Sequence, residues 1–229
     1  PALVTPFTRT GVLDEAAIRR LVRRQIDGGI HFLVPCGTTG ENPTLTPAER
    51  RRVVELVVEE AGGRVPMLAG AGGYDAREGV ELAADMRLAG ADGLLSVTPY
   101  YNKPTPEGLY QHYRAIVEST SLPVIVYNVP GRTGCNIDPA TLARLATLPN
   151  LVGVKEASGN MAQIADICQA LPPAFLVLSG DDVLALPAMA ADDFPNRPLR
   201  VIAPFAPGNA GDIIPRALAP KMGELFRQN

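Results

Sequence analysis

The sequence predicts an α/β protein built as a (β/α)8 TIM barrel, and three observations carry that reading. Seven short apolar runs rich in β-branched residues alternate with helical stretches, the pattern of a parallel sheet with helical crossovers. The 229 residues fall near the ~250 typical of such a barrel. No GxGxxG follows the first strand, which argues against a doubly wound sheet.

The elements follow in order. Ala2-Leu3-Val4 reads as the end of a first strand. From Asp14 the pattern turns helical, with Ile18, Leu21, Val22 and Ile26 at helical spacing and Gly28-Gly29 as the stop. Phe32-Leu33-Val34 is the second strand, and it runs into Gly37-Thr38-Thr39-Gly40-Glu41, a turn too rich in glycine for a helix. Thr46-Pro47-Ala48-Glu49 opens the next helix with a capping threonine, proline at the first position and glutamate at the third. Further strands are expected at Val65–Ala69, Gly93–Val97, Pro123–Tyr127, Leu151–Lys155 and Phe175–Leu178. The helices between them cover Asp75–Ala89 and open at Thr105-Pro106, at Asp138-Pro139, near Asn160 and near Asp181.

After Ala190 the texture changes: six of the 22 prolines fall in the last 39 residues. Leu199–Ala203 still reads as a strand and Gly211–Phe226 as a helix, in which Pro215 and Pro220 each cost a hydrogen bond or force a kink. The chain therefore divides into a barrel of seven βα units at 1–190 and a foreign βα segment at 191–229. Seven units leave an open sheet edge, so the tail is expected in the eighth position, with Leu199–Ala203 between Phe175–Leu178 and Ala2–Val4.

Composition narrows the function. No apolar run approaches the ~20 residues of a membrane span, and a net charge of −3 gives no electrostatic case for nucleic acid or an anionic membrane. Cys36, Cys135 and Cys168 are odd in number and scattered. They read as reduced thiols of a cytosolic protein rather than a disulfide frame or metal site. With only His31 and His112, a histidine-rich metal centre is also disfavoured. Neither an initiator methionine nor a signal peptide precedes Pro1, which is compatible with a start inside a longer natural chain.

In a barrel the chemistry gathers at the C-terminal ends of the strands. The residues there are Thr38, Thr39 and Glu41 after strand two, and Tyr100, Tyr101, Asn102 and Lys103 after strand four. Tyr127, Asn128 and Arg132 follow strand five, Lys155 ends strand six, and Ser179, Asp181 and Asp182 follow strand seven. Lys155 closes the run Val152-Gly153-Val154, so its amine either points to solvent or is desolvated, loses its proton and attacks a carbonyl to form an imine. Phenols and hydroxyls suit proton transfer beside an imine, and an arginine holds a carboxylate by bidentate pairing. Each residue also has a plainer reading. Gly37–Gly40 is a tight turn or an anion nest, Tyr100 and Tyr101 are core or interface aromatics, and Arg132 is a solvated charge. Asp181 and Asp182 fit a helix cap and first-turn acid better than a catalytic pair, and His112 sits mid-helix in a structural place.

Six motifs are recognisable in order: Thr5-Pro6-Phe7, Gly37-Thr38-Thr39-Gly40-Glu41, Pro99-Tyr100-Tyr101-Asn102-Lys103-Pro104, Tyr127-Asn128-Val129-Pro130-Gly131-Arg132-Thr133-Gly134, Lys155-Glu156-Ala157-Ser158-Gly159 and Ser179-Gly180-Asp181-Asp182. Over residues 1–190 they resemble the 4-hydroxy-tetrahydrodipicolinate synthase (dihydrodipicolinate synthase) family of pyruvate-dependent lyases. The resemblance implies condensation of pyruvate with L-aspartate 4-semialdehyde, giving 4-hydroxy-tetrahydrodipicolinate on the diaminopimelate route to lysine. It implies a Schiff base on Lys155, with Tyr127 moving protons and Thr38 linking it to Tyr101 supplied across a tight dimer. Arg132 takes the semialdehyde carboxylate, the backbone at Thr38 and Thr39 takes the pyruvate carboxylate, and Gly180 lies at the substrate. No metal or organic cofactor is implied. The expected protein is a cytoplasmic homodimer or homotetramer with no nucleic-acid or membrane partner.

Two departures stand out. Where the family's lysine-feedback pocket is rich in polar and imidazole side chains, this sequence carries Asn42, Pro43, Pro47, Arg50 and Tyr74, keeping Glu78 and Tyr100. The family's own eighth strand and C-terminal helical domain are missing. Residues 194–229 instead resemble the start of a tripartite-tricarboxylate periplasmic solute receptor, so the chain reads as a truncated fusion. Two alternatives stay open: another pyruvate aldolase acting on 2-keto-3-deoxy sugar acids or sialic acid, or a carboxylate-binding fusion without turnover.

Overall fold

The computed structural model describes residues 1–184 and the backbone of 200–201. Its helices begin where short polar side chains meet otherwise unpaired N–H groups. Asp14 caps α1 (Glu15–Asp27) by accepting the Ala17 N–H, and Thr46 and Glu49 form a reciprocal capping box at α2 (Pro47–Ala61). Asp75 caps α3 (Ala76–Leu88), Thr105 caps α4 (Pro106–Glu118), Asp138 caps α6 (Pro139–Leu145) and Asn160 caps α7 (Met161–Ala170). Between α4 and α6 stands a single turn, α5 (Pro130–Thr133), with proline in its first turn and a left-handed Gly134 closing it. Arg52 on α2 binds Glu15 on α1 with two bonds of 2.8 Å, tying the first two helices together outside their apolar contact.

The strands β1 (Leu68–Gly70), β2 (Gly93–Val97), β3 (Val124–Asn128), β4 (Leu151–Glu156), β5 (Leu176–Ser179) and β6 (Arg200–Val201) lie side by side in chain order, every pairing parallel. Two shorter staves precede them. Ala2 bridges Val34 and Leu33 bridges Met67, both in parallel. The expected strand Val65–Ala69 begins later than its apolar residues suggest. Pro66 has no N–H to give, and only its carbonyl joins the ladder, accepting the Leu33 N–H at 3.0 Å. The glycine-rich turn after the second stave is helical after all: Thr38–Gly40 forms one turn of 3-10 helix, ended by Glu41 at φ 56°.

Period-two alternation splits the sheet into an inner and an outer face. Leu68, Leu95, Ile125, Tyr127 and Leu178 pack with Val34 inside the barrel. Leu94, Val124, Val126, Val154 and Val177 face the helices and join the larger core with α2, α3, α4 and α6. The register places Val97, Tyr127, Lys155 and Leu178 side by side in one inner layer.

Of the tail, Arg200 and Val201 pair with Leu178 and Ser179 on β5. The other residues of Leu199–Ala203, the helix expected at 211–226, and the junction around Ala190 lie outside the described residues.

Gly153 is the tightest point of the β4–β5 contact, since a Cβ there would come within 2.6 Å of the Leu176 carbonyl oxygen and 2.7 Å of its Cβ. Gly153→Ala therefore forces the two strands apart, at a cost of about 1–3 kcal/mol. Thermal denaturation should show a clear drop, and an unchanged midpoint would disprove the close approach.

Candidate active site

The inner layer ends in polar side chains because the strands ending there point out of the barrel's apolar interior. Lys155 is only 8% exposed, and its Nζ lies over the Tyr127 ring at 4.2 Å from the centroid. Burial outweighs every other influence on the amine and lowers its pKa to about 8; the Arg132 charge pushes the same way, and the Asp182 carboxylate opposes both. Gly180, directly after β5, makes room for this side chain. A Cβ at that position would stand 2.9 Å from Lys155 Cε, and the Gly180 N–H is bound to the Glu156 carbonyl at 2.8 Å.

Tyr127 is raised above the ordinary phenol range by burial, with partial relief from a hydrogen bond to the Thr38 side chain and from the Arg132 charge. Its carbonyl is pinned from β2's end, accepting the Thr98 N–H at 3.0 Å and the Thr98 hydroxyl at 2.8 Å. Around the phenol lies a pocket of about 220 Å³ whose walls include Cys36, Gly37, Thr38, Tyr100, Tyr127 and Arg132. The 3-10 turn uses the N–H groups of Gly40 and Glu41 in its own bonds, which leaves those of Thr38 and Thr39 outside them. Arg132, on the short α5, stands exposed at the mouth.

The predicted set is thus largely gathered: Lys155, Tyr127, Thr38, Arg132 and Gly180 converge. Thr39 shares the Thr38 turn without forming part of the pocket wall. Tyr101 does not reach the pocket of its own chain. It is 91% exposed, at φ 69°, on the loop after β2. Tyr100 lines the pocket instead.

Two features escaped the sequence. Asp181 does serve as a cap, accepting the Val183 N–H at 3.1 Å, but Asp182 is more than a first-turn acid. Its Oδ1 is buried and has no hydrogen-bond partner among the described residues, and desolvation holds its carboxyl above the usual range. Only folding shows that it shares its environment with Lys155. Behind the sheet, Glu156 anchors a buried hydrogen-bond network that its place in Lys155-Glu156 did not announce. At the departing regulatory positions, Arg50 is buried with Glu78 3.8 Å away, and Tyr74 meets Tyr100 edge-on.

None of the three cysteines forms a disulfide. Among the described residues no helix is long and apolar enough to cross a membrane, and no cluster of His, Cys, Asp or Glu could hold a metal.

The model of the dihydrodipicolinate synthetase family matches residues 1–192. The chain belongs to that family. A 4-hydroxy-tetrahydrodipicolinate synthase of Nitratidesulfovibrio vulgaris (strain Miyazaki F) is 55% identical over 190 residues, covering 82% of this chain and 65% of the relative. The crystal structure of a dihydrodipicolinate synthase from Bacillus anthracis superposes with a TM-score of 0.90 at 38% identity, covering 99% of this chain and 75% of that one. A chloride-inhibited family member from Acinetobacter baumannii, complexed with pyruvate, gives 0.86 at 40% identity over 99% and 77% of the two chains. The fold is accordingly the family's TIM barrel. The chain spans 65% and 63% of the length of two curated relatives, and residues 194–229 lie beyond the family match.

The amine's environment has a measurable sign. A base whose pKa is lowered to about 8 is neutral and reactive above that pH and protonated below it. Competitive acetylation of Lys155, read by mass spectrometry against a free-amine standard, should rise through a midpoint near 8. A midpoint near the ordinary lysine value would mean that Lys155 is solvated.

Proposed function

We propose that the chain is a 4-hydroxy-tetrahydrodipicolinate synthase-type lyase that joins pyruvate to L-aspartate 4-semialdehyde. The observation that carries this reading is the buried Lys155 amine over the Tyr127 ring, beside a pocket that Tyr127 lines together with Thr38 and Arg132.

The neutral amine of Lys155 attacks the pyruvate C2 carbonyl, and loss of water gives an imine. Tyr127, held by Thr38, takes and returns the protons of these steps. The imine withdraws electrons from the pyruvate methyl, which loses a proton to give an enamine. Its carbon adds to the aldehyde of the second substrate. Attack by that substrate's own amine on the imine carbon closes the ring and frees Lys155. The N–H groups of Thr38 and Thr39 suit the pyruvate carboxylate, Arg132 suits that of the semialdehyde, and Gly180 lets substrate lie against Lys155. Tyr101, exposed on its own chain, completes the proton relay of a second copy in a homodimer or homotetramer. No cofactor enters these steps, and the cytoplasm supplies both substrates. In support, the Acinetobacter baumannii relative is described as complexed with pyruvate.

The tail serves in this reading as the barrel's eighth unit. The parallel pairing of Arg200 and Val201 with β5 supports that role.

Pyruvate with borohydride should add one reduced adduct to Lys155 and none to Lys155→Ala. Absence of an adduct on the unaltered chain, or its persistence in the variant, would remove the proposed chemistry. Arg132→Ala should weaken use of the semialdehyde about 10- to 100-fold, as expected for one lost charge-assisted pair, and spare pyruvate. A selective loss of pyruvate affinity in steady-state kinetics would reverse the two carboxylate assignments.

A further inference from the structure

Tyr127 and Lys155 are neighbours across β3 and β4, and the next register position pairs Asn128 with Glu156 on the opposite face. Asn128 is 0% exposed and Glu156 1%. The Asn128 amide donates to Glu156 Oε2 at 2.9 Å and to Asn136 Oδ1 at 2.8 Å, and its own oxygen accepts the Ile137 N–H at 3.0 Å. Glu156 Oε1 accepts the Ser158 N–H at 2.7 Å, and Gln163 on α7 donates to Oε2 at 3.3 Å. Asn136 in turn donates to Gln163 at 2.8 Å. Two strand ends, the loop after β4 and the first turn of α7 thus meet at one carboxylate, and the loop before α6 joins them through Asn128 and Gln163.

Burying a carboxylate is costly unless donors surround it, and apolar side chains of similar shape would hold these elements together at no such cost. Glu156 makes no ion pair among the described residues, so its partners are neutral and directional. Nor is it among the charges that dominate at Lys155, which are Asp182 and Arg132. Its effect on the amine is therefore geometric. The ladder between these strands has its last bond at Ala157 N–H to Asn128 O, 2.8 Å. That bond lies just past the Tyr127–Lys155 pair, at the level where the network grips both strand ends.

We propose that Glu156, with Asn128 and Gln163, is a positioning residue that fixes the spacing of the β3 and β4 ends and thereby the approach of Lys155 to Tyr127. The inference rests on Lys155 being the reacting amine of the proposed lyase.

Glu156→Gln keeps the shape but sets an amide NH2 against either the Ser158 N–H or the donors of Asn128 and Gln163. The exchange variant Glu156→Gln/Gln163→Glu restores an acceptor for that amide and keeps one for Asn136. Two readouts apply: the pH midpoint of Lys155 acetylation, which needs no substrate, and the rate of borohydride trapping with pyruvate. Glu156→Gln should admit water to the amine, raise the midpoint by about half a unit or more, and slow trapping up to about 10²-fold. The exchange variant should recover most of both. Where Glu156→Gln does not fold, Gln163→Ala gives the same readouts in the same direction. An unchanged midpoint in the folded variants overturns the proposal, as does a shift that the exchange variant leaves uncorrected. A chain that never traps pyruvate sinks the lyase reading instead, and the acetylation midpoint still decides on Glu156.

Discussion

Everything at this site follows from keeping one amine away from water. A lysine on a barrel's inner face has apolar neighbours on both sides and no room to reach solvent, so desolvation dominates its chemistry. The structure sustains that condition with small devices. A glycine after β5 leaves space for the side chain, the Tyr127 ring covers the nitrogen, and a single acid, Asp182, limits how far the proton affinity falls. Full neutralisation by a close partner would have restored an inert ammonium. Complete isolation would have made its burial harder to sustain.

Strand alternation divides the labour. Inward residues of β2, β3, β4 and β5 form the reactive layer, while outward residues one position away attach the strands to helices. On β4 the division passes between adjacent residues, Lys155 inward and Glu156 outward. A one-residue slip of this strand would exchange them, burying the lysine among helices and placing the carboxylate beside Tyr127. Register is therefore a chemical requirement as much as a packing one.

Much of this was legible in the chain itself, for identifiable reasons. Caps such as Thr46 and Asp138 are local, so three or four residues suffice to place them. Lys155 and Tyr127 stood out because a polar residue ending an apolar run contradicts its surroundings. The 3-10 turn at Thr38 was missed because glycine content argued against helix, although a single turn needs only one or two bonds. The α5 turn has no place among the expected elements, yet proline at its start and glycine at its end were the available signal. Asp182 and the Glu156 network were not legible. Their partners lie on other strands and loops, and nothing in a local window distinguishes a helix-opening acid from one that faces a lysine. Tyr101 shows the converse: its motif was recognisable, yet its side chain stands exposed and away from the pocket.

Cys36 lines the same pocket as Thr38, Tyr127 and Arg132. A thiolate there would compete with an amine for a carbonyl carbon, adding to give a hemithioketal. The protein forestalls this by burial, which pushes the thiol up to about 12 and leaves about one part in 10⁵ ionised at neutral pH. The same exclusion of water that liberates the amine silences the sulfur, because one loses a charge on becoming nucleophilic and the other acquires one. Burial thus acts in opposite senses on the two nucleophiles and favours nitrogen over sulfur.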